Sequence, residues 1–304
     1  GGGTDLEEYY RTDYGAVLST TIDKFVYVTV KRHGELFKEN YRLNYAETEH
    51  AKSLGSIKND IARECLRLVQ IEPPIYISTI ADVPAASGLG SSSSFAIALL
   101  KALHAMKGQR ISSTQLAEEA IQVEIEILKR PIGKQDHVAA AYGGLNYFKF
   151  FSDGGMSIEP HSPTQSNIEK LFKNTLMFWT GMVRDAAVVL KEQKRNTKNK
   201  LEYLDAMRDQ AFELNALMRN DINVKQFGEI MNKGWQLKRG LAKGISNEKI
   251  NGWYERGIHA GAFGGKICGA GGGGFLLFIA PISKHGEIRK SLSELEEIDI
   301  KYEP

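Results

Sequence analysis

The sequence predicts an α+β protein of two domains, 1–165 and 166–304, and three observations carry that expectation. At 304 residues, 42% of them apolar and 25% charged, the chain is long enough for two hydrophobic cores. Strand-like and helix-like stretches do not alternate strictly, which disfavours a doubly wound parallel sheet. Two Gly-rich segments, SGLGSSSS at 87–94 and GGKICGAGGGG at 264–274, fall one in each half and suggest a cleft between the domains.

The elements follow in chain order. Residues 16–30 (AVLSTTIDKFVYVTV) are rich in β-branched and aromatic residues with partial alternation, and read as one or two strands. LFKENYRLNYAE at 36–47 is a weaker candidate for a further strand pair. Ile57, Ile61, Leu66 and Leu68 suggest a helix over 56–69, stopped by Pro73 and Pro74. IYISTIADVP at 75–84 alternates as a strand and leads into the Ser-rich loop. A helix from Ser92 to about Met106 carries Phe95, Leu99, Leu103 and Met106 at helical spacing, with Ser91 as its expected cap. Further helices are expected over 113–128 and from Gly133 or Lys134 to Gly143, then a strand at 145–151.

The second half reads as mostly helical. A strand at 175–181 (TLMFWTG) precedes helices at about 184–197, 200–219, 223–239 and 248–262. The Gly-rich loop, the strand FLLFIA at 275–280, a helix at about 284–295 and a short strand IDIKYE at 298–303 complete the chain.

Composition narrows the function. Lys and Arg number 39 against 37 Asp and Glu, a net charge of +2, too balanced to point to a polyanion partner. Cys65 and Cys268 stand far apart with no Cys/His cluster of ligand spacing, so neither a disulfide scaffold nor a zinc site is expected. The run FLLFIA is far short of the roughly 20 apolar residues that span a bilayer. The chain opens at Gly1 without an initiator Met, which leaves the start of the protein open; a cytoplasmic location is expected.

Three segments carry chemistry. In SGLGSSSS the glycines remove side chains and bring backbone N–H groups to a helix start, where unpaired donors and the helix dipole favour an anion such as phosphate. The segment matches neither a Walker loop nor the dinucleotide fingerprint. In VEIEILKRPIGKQDHVAAAYGG, Glu124 and Asp136 flank a Pro-Gly break that lets two carboxylates face one space. A solvated helix face for Glu124 and a dipole-favoured first-turn position for Asp136 are the competing readings. Beside a phosphate loop, the two would supply a metal ligand and a group that positions or deprotonates an acceptor hydroxyl.

PAASGLGSSSSF, GKQDHVAAAYGG and KICGAGGGGFLLF occur in the order and spacing of the three motifs of the GHMP kinases, and the whole chain resembles that superfamily. The resemblance implies a ribosomal-protein-S5-like N-terminal domain and a ferredoxin-like helical C-terminal domain, with ATP and substrate between them. It implies that Gly88, Leu89, Gly90, Ser91, Ser92 and Ser93 hold the ATP phosphates, that Ser92 and Glu124 ligate Mg²⁺, and that Asp136 is the catalytic base. Gly3, Thr4 and Asp5 in GGGTD match the sugar-binding acid segment of galactokinase-like members, and Gly271, Gly272 and Gly273 match the motif that floors the cleft. The upstream basic residue of some members is absent, which makes Lys134 the nearest candidate for a catalytic cation.

GGGTDLEEYY, FWTGMVRDAAVVLKEQ and WQLKRGLAKGIS narrow the resemblance to kinases that phosphorylate the anomeric hydroxyl of a heptose 7-phosphate for nucleotide-activated heptose synthesis. A sugar phosphate would need fixed cations, and Arg11, Lys31, Arg32, Arg184 and Lys238 are the candidates, with Arg11 and Arg184 foremost. The alternatives are a C1 kinase of an unphosphorylated sugar of the L-fucose or galactose type, and a non-catalytic sugar and ATP sensor on the same fold. The partners expected are a sugar phosphate and ATP, with no nucleic acid and no membrane; a homodimer is left open.

Overall fold

The computed structural model describes residues 3–34, 36–161, 164–183 and 186–304. The first half runs α1 (Glu7–Tyr10), β1 (Tyr14–Thr20), β2 (Val26–Arg32), β3 (Tyr41–Asn44), β4 (Thr48–Ala51), α2 (Asp60–Leu68), β5 (Ile75–Ala81), α3 (Ser91–Met106), α4 (Ser113–Ile121), α5 (Gln135–Tyr142), β6 (Leu145–Phe151) and β7 (Met156–Pro160). The second runs α6 (Gln165–Lys173), β8 (Thr175–Trp179), α7 (Ala186–Asn196), α8 (Leu201–Arg219), α9 (Val224–Arg239), α10 (Glu248–His259), β9 (Gly264–Ile267), β10 (Phe275–Ile279), α11 (His285–Ser291) and β11 (Glu296–Ile298).

Three sheets organise these elements: β2-β5-β3-β4, β1-β6-β7 and β11-β8-β10-β9. All the pairings are antiparallel except β3 with β5. Apolar faces of the first sheet, α2, α3 and α4 bury Leu43, Ile77, Leu99 and Leu103 in one core, and β8 and β10 bury Phe178 and Phe278 with Trp235 of α9 in another. Burial of this kind, at roughly 25 cal/mol per Å² of apolar surface, is the main force fixing each half.

Both chain ends cross between the halves. Tyr9 packs in the second core and its hydroxyl donates to Asp205 Oδ1 at 2.6 Å. Near the C-terminus, Thr21 Oγ1 donates to the Glu303 carbonyl at 2.6 Å, and Ile22 bridges Tyr302.

Several expected boundaries move for local reasons. Helix α2 begins at Asp60, later than position 56, because Asn59 accepts the Ala62 N–H at 3.0 Å and caps it there. Gly90, with φ 72° and no side chain to offer, caps α3, so Ser91 is its first helical residue instead of its cap. The helix expected to continue to 128 leaves α geometry after Ile121 and becomes a π-helical turn, Gln122–Ile127. Part of the second Gly-rich segment is strand β9, and the terminal strand lies at 296–298, ahead of its expected place.

Candidate active site

A cavity of about 380 Å³ lies where β1, the Ser-rich loop and the start of α5 face α9, β9 and β10. Gly88, Leu89 and Gly90 form one wall, Asp136 another, and Lys238, Lys266, Cys268 and Gly269 a third. The wall residues come from both halves, as a cleft between domains requires.

The Ser-rich loop is built for close approach. A Cβ at Gly88 would sit 2.6 Å from the Cys268 carbonyl oxygen, and one at Gly269 would sit 2.5 Å from Gly88 Cα. Both glycines have positive φ, so the two Gly-rich segments meet backbone to backbone only as glycine. The N–H groups of Ser91, Ser92 and Ser93 occupy the first turn of α3, where a helix supplies no acceptors, and no side chain caps them. That leaves a bare helix start bordering the cavity, the arrangement that suits the phosphates of a nucleotide.

Glu124 is fully buried in the π-helical turn. Its Oε2 accepts from Ser92 Oγ at 2.6 Å and from Arg130 Nη1 at 2.8 Å, and His137 Nε2 lies 3.2 Å from Oε1. Arg130 also donates to Ser92 Oγ at 3.0 Å and to Asp60 Oδ1 at 2.8 Å. Burial alone would raise the Glu124 pKa, but His137, Ser92 and Arg130 outweigh it and hold the carboxyl below its ordinary value. Ser92 and Glu124 thus present two hard oxygens, one anionic, side by side at the helix start. That donor set is of the kind Mg²⁺ takes, and the Arg130 guanidinium, which donates to the same two oxygens, would have to give them up to the ion.

Asp136 occupies the first turn of α5 and opens onto the cavity, within contact distance of the space beside Gly90. Asp136 keeps an exposed face in the open cleft, but the walls around it desolvate it in part and Asp5 adds a like charge, so its pKa is raised despite the nearby His137, Lys238 and Lys266. A carboxylate held above its usual range, facing the glycine-rich start of a helix, is suited to accept a proton.

Family models match residues 56–144 as the GHMP kinases N terminal domain and residues 211–298 as GHMP kinases C terminal. The chain is 30% identical to the D-glycero-alpha-D-manno-heptose 7-phosphate kinase of Campylobacter jejuni, over 96% of its own length and 89% of that protein. The chain belongs to the GHMP kinases. It is also 31% identical to the bifunctional fucokinase/GDP-fucose pyrophosphorylase of Arabidopsis thaliana, over 75% of this chain and 22% of that protein. The solved fold of a D-glycero-D-manno-heptose 1-phosphate kinase from Bacteroides thetaiotaomicron superposes with TM-score 0.72 at 23% identity, covering 99% of this chain and 92% of the other.

In this GHMP kinase the other expected site residues divide sharply. Asp5 is buried, and its carboxylate accepts the Gly3 N–H at 3.1 Å and the Gln135 N–H at 3.0 Å, so it anchors the start of α5 one residue from Asp136. Gly133 must lack a side chain, because a Cβ there would overlap the Asp5 carboxylate. Thr4 Oγ1 donates to the Ala16 carbonyl at 2.8 Å and accepts the Ala16 N–H at 3.2 Å, which fastens the segment to β1. Gly3, Thr4 and Asp5 therefore support the site from behind and do not line the cavity.

Lys134 is not directed at the reacting centre. Its ammonium donates to the Gly154 carbonyl at 2.8 Å and lies 5.0 Å over the Tyr10 ring. Arg11 pairs with Glu7 and the Ser152 carbonyl at the surface, and Arg32 donates to the Glu72 carbonyl, so neither reaches the cavity. Lys31 is exposed on β2, and Arg184 lies outside the described residues. Gly271, Gly272 and Gly273 pack against Ile245 and Met182, while Cys268 and Gly269 of the same segment floor the cavity.

Lys238 does line the cavity, with Lys266 beside it. Sequence reading passed over Lys266, Arg130 and His137. The alternation Gly265–Lys266–Ile267 is a faint signal that Lys266 stands on a strand, and His137 directly follows Asp136.

The Asp5 charge has a measurable consequence. Asp5→Asn removes the second-largest cause of the raised Asp136 pKa, so the acid limb of the kcat/KM profile moves to lower pH. An unmoved limb would show that Asp5 acts on α5 only as an anchor.

Proposed function

We propose that this GHMP-family sugar kinase transfers the γ-phosphoryl group of ATP to the anomeric hydroxyl of a heptose 7-phosphate, giving the 1,7-bisphosphate. The observation that carries the reading is Asp136, a carboxyl held above its ordinary pKa beside an uncapped helix start. Near-full-length similarity to a heptose 7-phosphate kinase supports the choice of sugar.

The chain's own residues divide the work. Backbone N–H groups from Gly88 to Ser93 hold the donor phosphates, and the close glycine contacts keep side chains out of their way. Ser92 and Glu124 would hold Mg²⁺, which when bound offsets the negative charge of the phosphates. Asp136 accepts the proton from the acceptor hydroxyl as its oxygen bonds to the γ-phosphorus and the bond to the ADP oxygen breaks. Asp5 keeps the start of α5, and hence Asp136, in place.

The test is ADP release with Mg-ATP against paired sugars, each with and without its terminal phosphate. Turnover confined to heptose 7-phosphate supports the assignment. Equal turnover of free L-fucose or galactose would replace it with an unphosphorylated-sugar kinase, and binding of sugar and ATP without turnover would replace it with a sensor.

A further inference from the structure

Two lysines line the cavity without a direct ion pair to either of the nearby carboxylates, Asp5 and Asp136. Lys238, in the last turn of α9, is 6% exposed, and its ammonium donates to the Gly269 carbonyl. Lys266 faces the cavity from β9, opposite Leu277 of β10. Among the described residues neither lysine forms an ion pair, although Asp136 lines the same cavity. Burial first, and the nearby charge of Lys266 second, push the Lys238 pKa down to about 8.

Asp5 and Asp136 offset part of the repulsion between the two cations, and an entering anion would relieve the rest. Two like charges held together in a cleft oppose the fold, and native chains keep buried charges paired or use them on a ligand. The position of the pair says what the ligand is. Gly269, which Lys238 holds, is in backbone contact with Gly88 of the phosphate loop, and Gly90 of that loop faces Asp136. The lysines therefore share the cavity with the proposed base, and Lys238 adjoins the backbone on which the Ser-rich loop is set.

We infer that Lys238 and Lys266 together form the receptor for a phosphoryl dianion at the centre of this cleft. The inference rests on the kinase reading and deepens it, by supplying the cation that Lys134 does not provide. Two groups have this chemistry: the phosphoryl in transfer and a phosphate already on the acceptor. The contact with the phosphate loop favours the first. Lys238 and Lys266 would then neutralise equatorial oxygens of that group while Asp136 takes the hydroxyl proton.

The experiment uses Lys238→Met and Lys266→Met in the full chain, each checked by circular dichroism and thermal melting. Removing a desolvated cation leaves the melting temperature of Lys238→Met equal to or above the wild type. Equilibrium binding of Mg-ADP and of Mg-AMPPNP is measured without acceptor, and turnover is measured with each sugar and its phosphorylated form. If the receptor serves the transferred phosphoryl, the variants lose the preference for AMPPNP over ADP, and kcat falls by about 100-fold or more on every acceptor.

If the receptor serves the acceptor's phosphate, nucleotide binding stays unchanged and KM for the phosphorylated sugar alone rises about tenfold or more. Folded variants with binding, kcat and KM all within about twofold of wild type overturn the inference and leave the kinase reading intact. A wild type that binds neither nucleotide overturns both.

Discussion

Asp136→Asn abolishes most turnover, by about 10²–10⁴-fold in kcat, and at the same time raises the melting temperature at neutral pH by a small amount, solvent in the open cleft screening the charge. Both effects have one origin. The folded protein holds this carboxyl above its ordinary pKa, chiefly by desolvation and then by the charge on Asp5. Folding therefore favours the protonated form. The associated stability is present below the unfolded carboxylate range and is lost as pH rises through the folded value. An amide of the same shape avoids that loss at pH 7, so the variant gains there and the gain vanishes as pH falls toward 4. Steady-state assays and calorimetry at the two pH values check the pair of results. A variant that is inactive and also less stable at pH 7 would mean that Asp136 is a structural residue.

Glu124→Gln has the opposite signature. The carboxylate is fully buried and joins Ser92, Arg130 and His137, so replacing it leaves the Arg130 guanidinium facing a neutral amide. Breaking a buried pair costs about 3–5 kcal/mol, and the loss here lies toward the lower end because Arg130 is partly solvated and keeps Asp60. Activity also falls, since one of the two oxygens offered to Mg²⁺ loses its charge. Denaturant unfolding without metal isolates the structural part. Manganese binding followed by electron paramagnetic resonance isolates the ligand part. Unchanged unfolding together with unchanged manganese affinity would remove Glu124 from both roles.

Much of this site was legible from the sequence, and the exceptions share a cause. The uncapped start of α3, Glu124 and Asp136 lie in motifs whose local residue types point to their chemistry, and the structure brings all three to one region. Lys134 was misread because its partners, the Tyr10 ring and the Gly154 carbonyl, come from distant parts of the chain. Lys266 was hidden because a four-residue strand beginning Gly-Gly carries a single β-branched residue, Ile267, and so little of the pattern that marks strands elsewhere. Arg130 was missed for a similar reason: its three acceptors converge only when α2, α3 and the π-helical turn pack together. Sequence periodicity reports a residue's face on its own element and says nothing of which carbonyl or ring will lie above it.

The contact between Gly88 and the Cys268–Gly269 backbone bears on how the chain can be divided. A phosphate loop normally takes its shape from the strand and helix on either side. Here part of the mould is a peptide segment made some 180 residues later, and Gly274 presses on the Ser87 carbonyl in the same way. An isolated first half would carry every motif residue from Gly88 to Asp136 and still lack the surface against which the loop is set. During synthesis, the Ser-rich wall of the cavity would thus take its final form only once the last third of the chain had emerged.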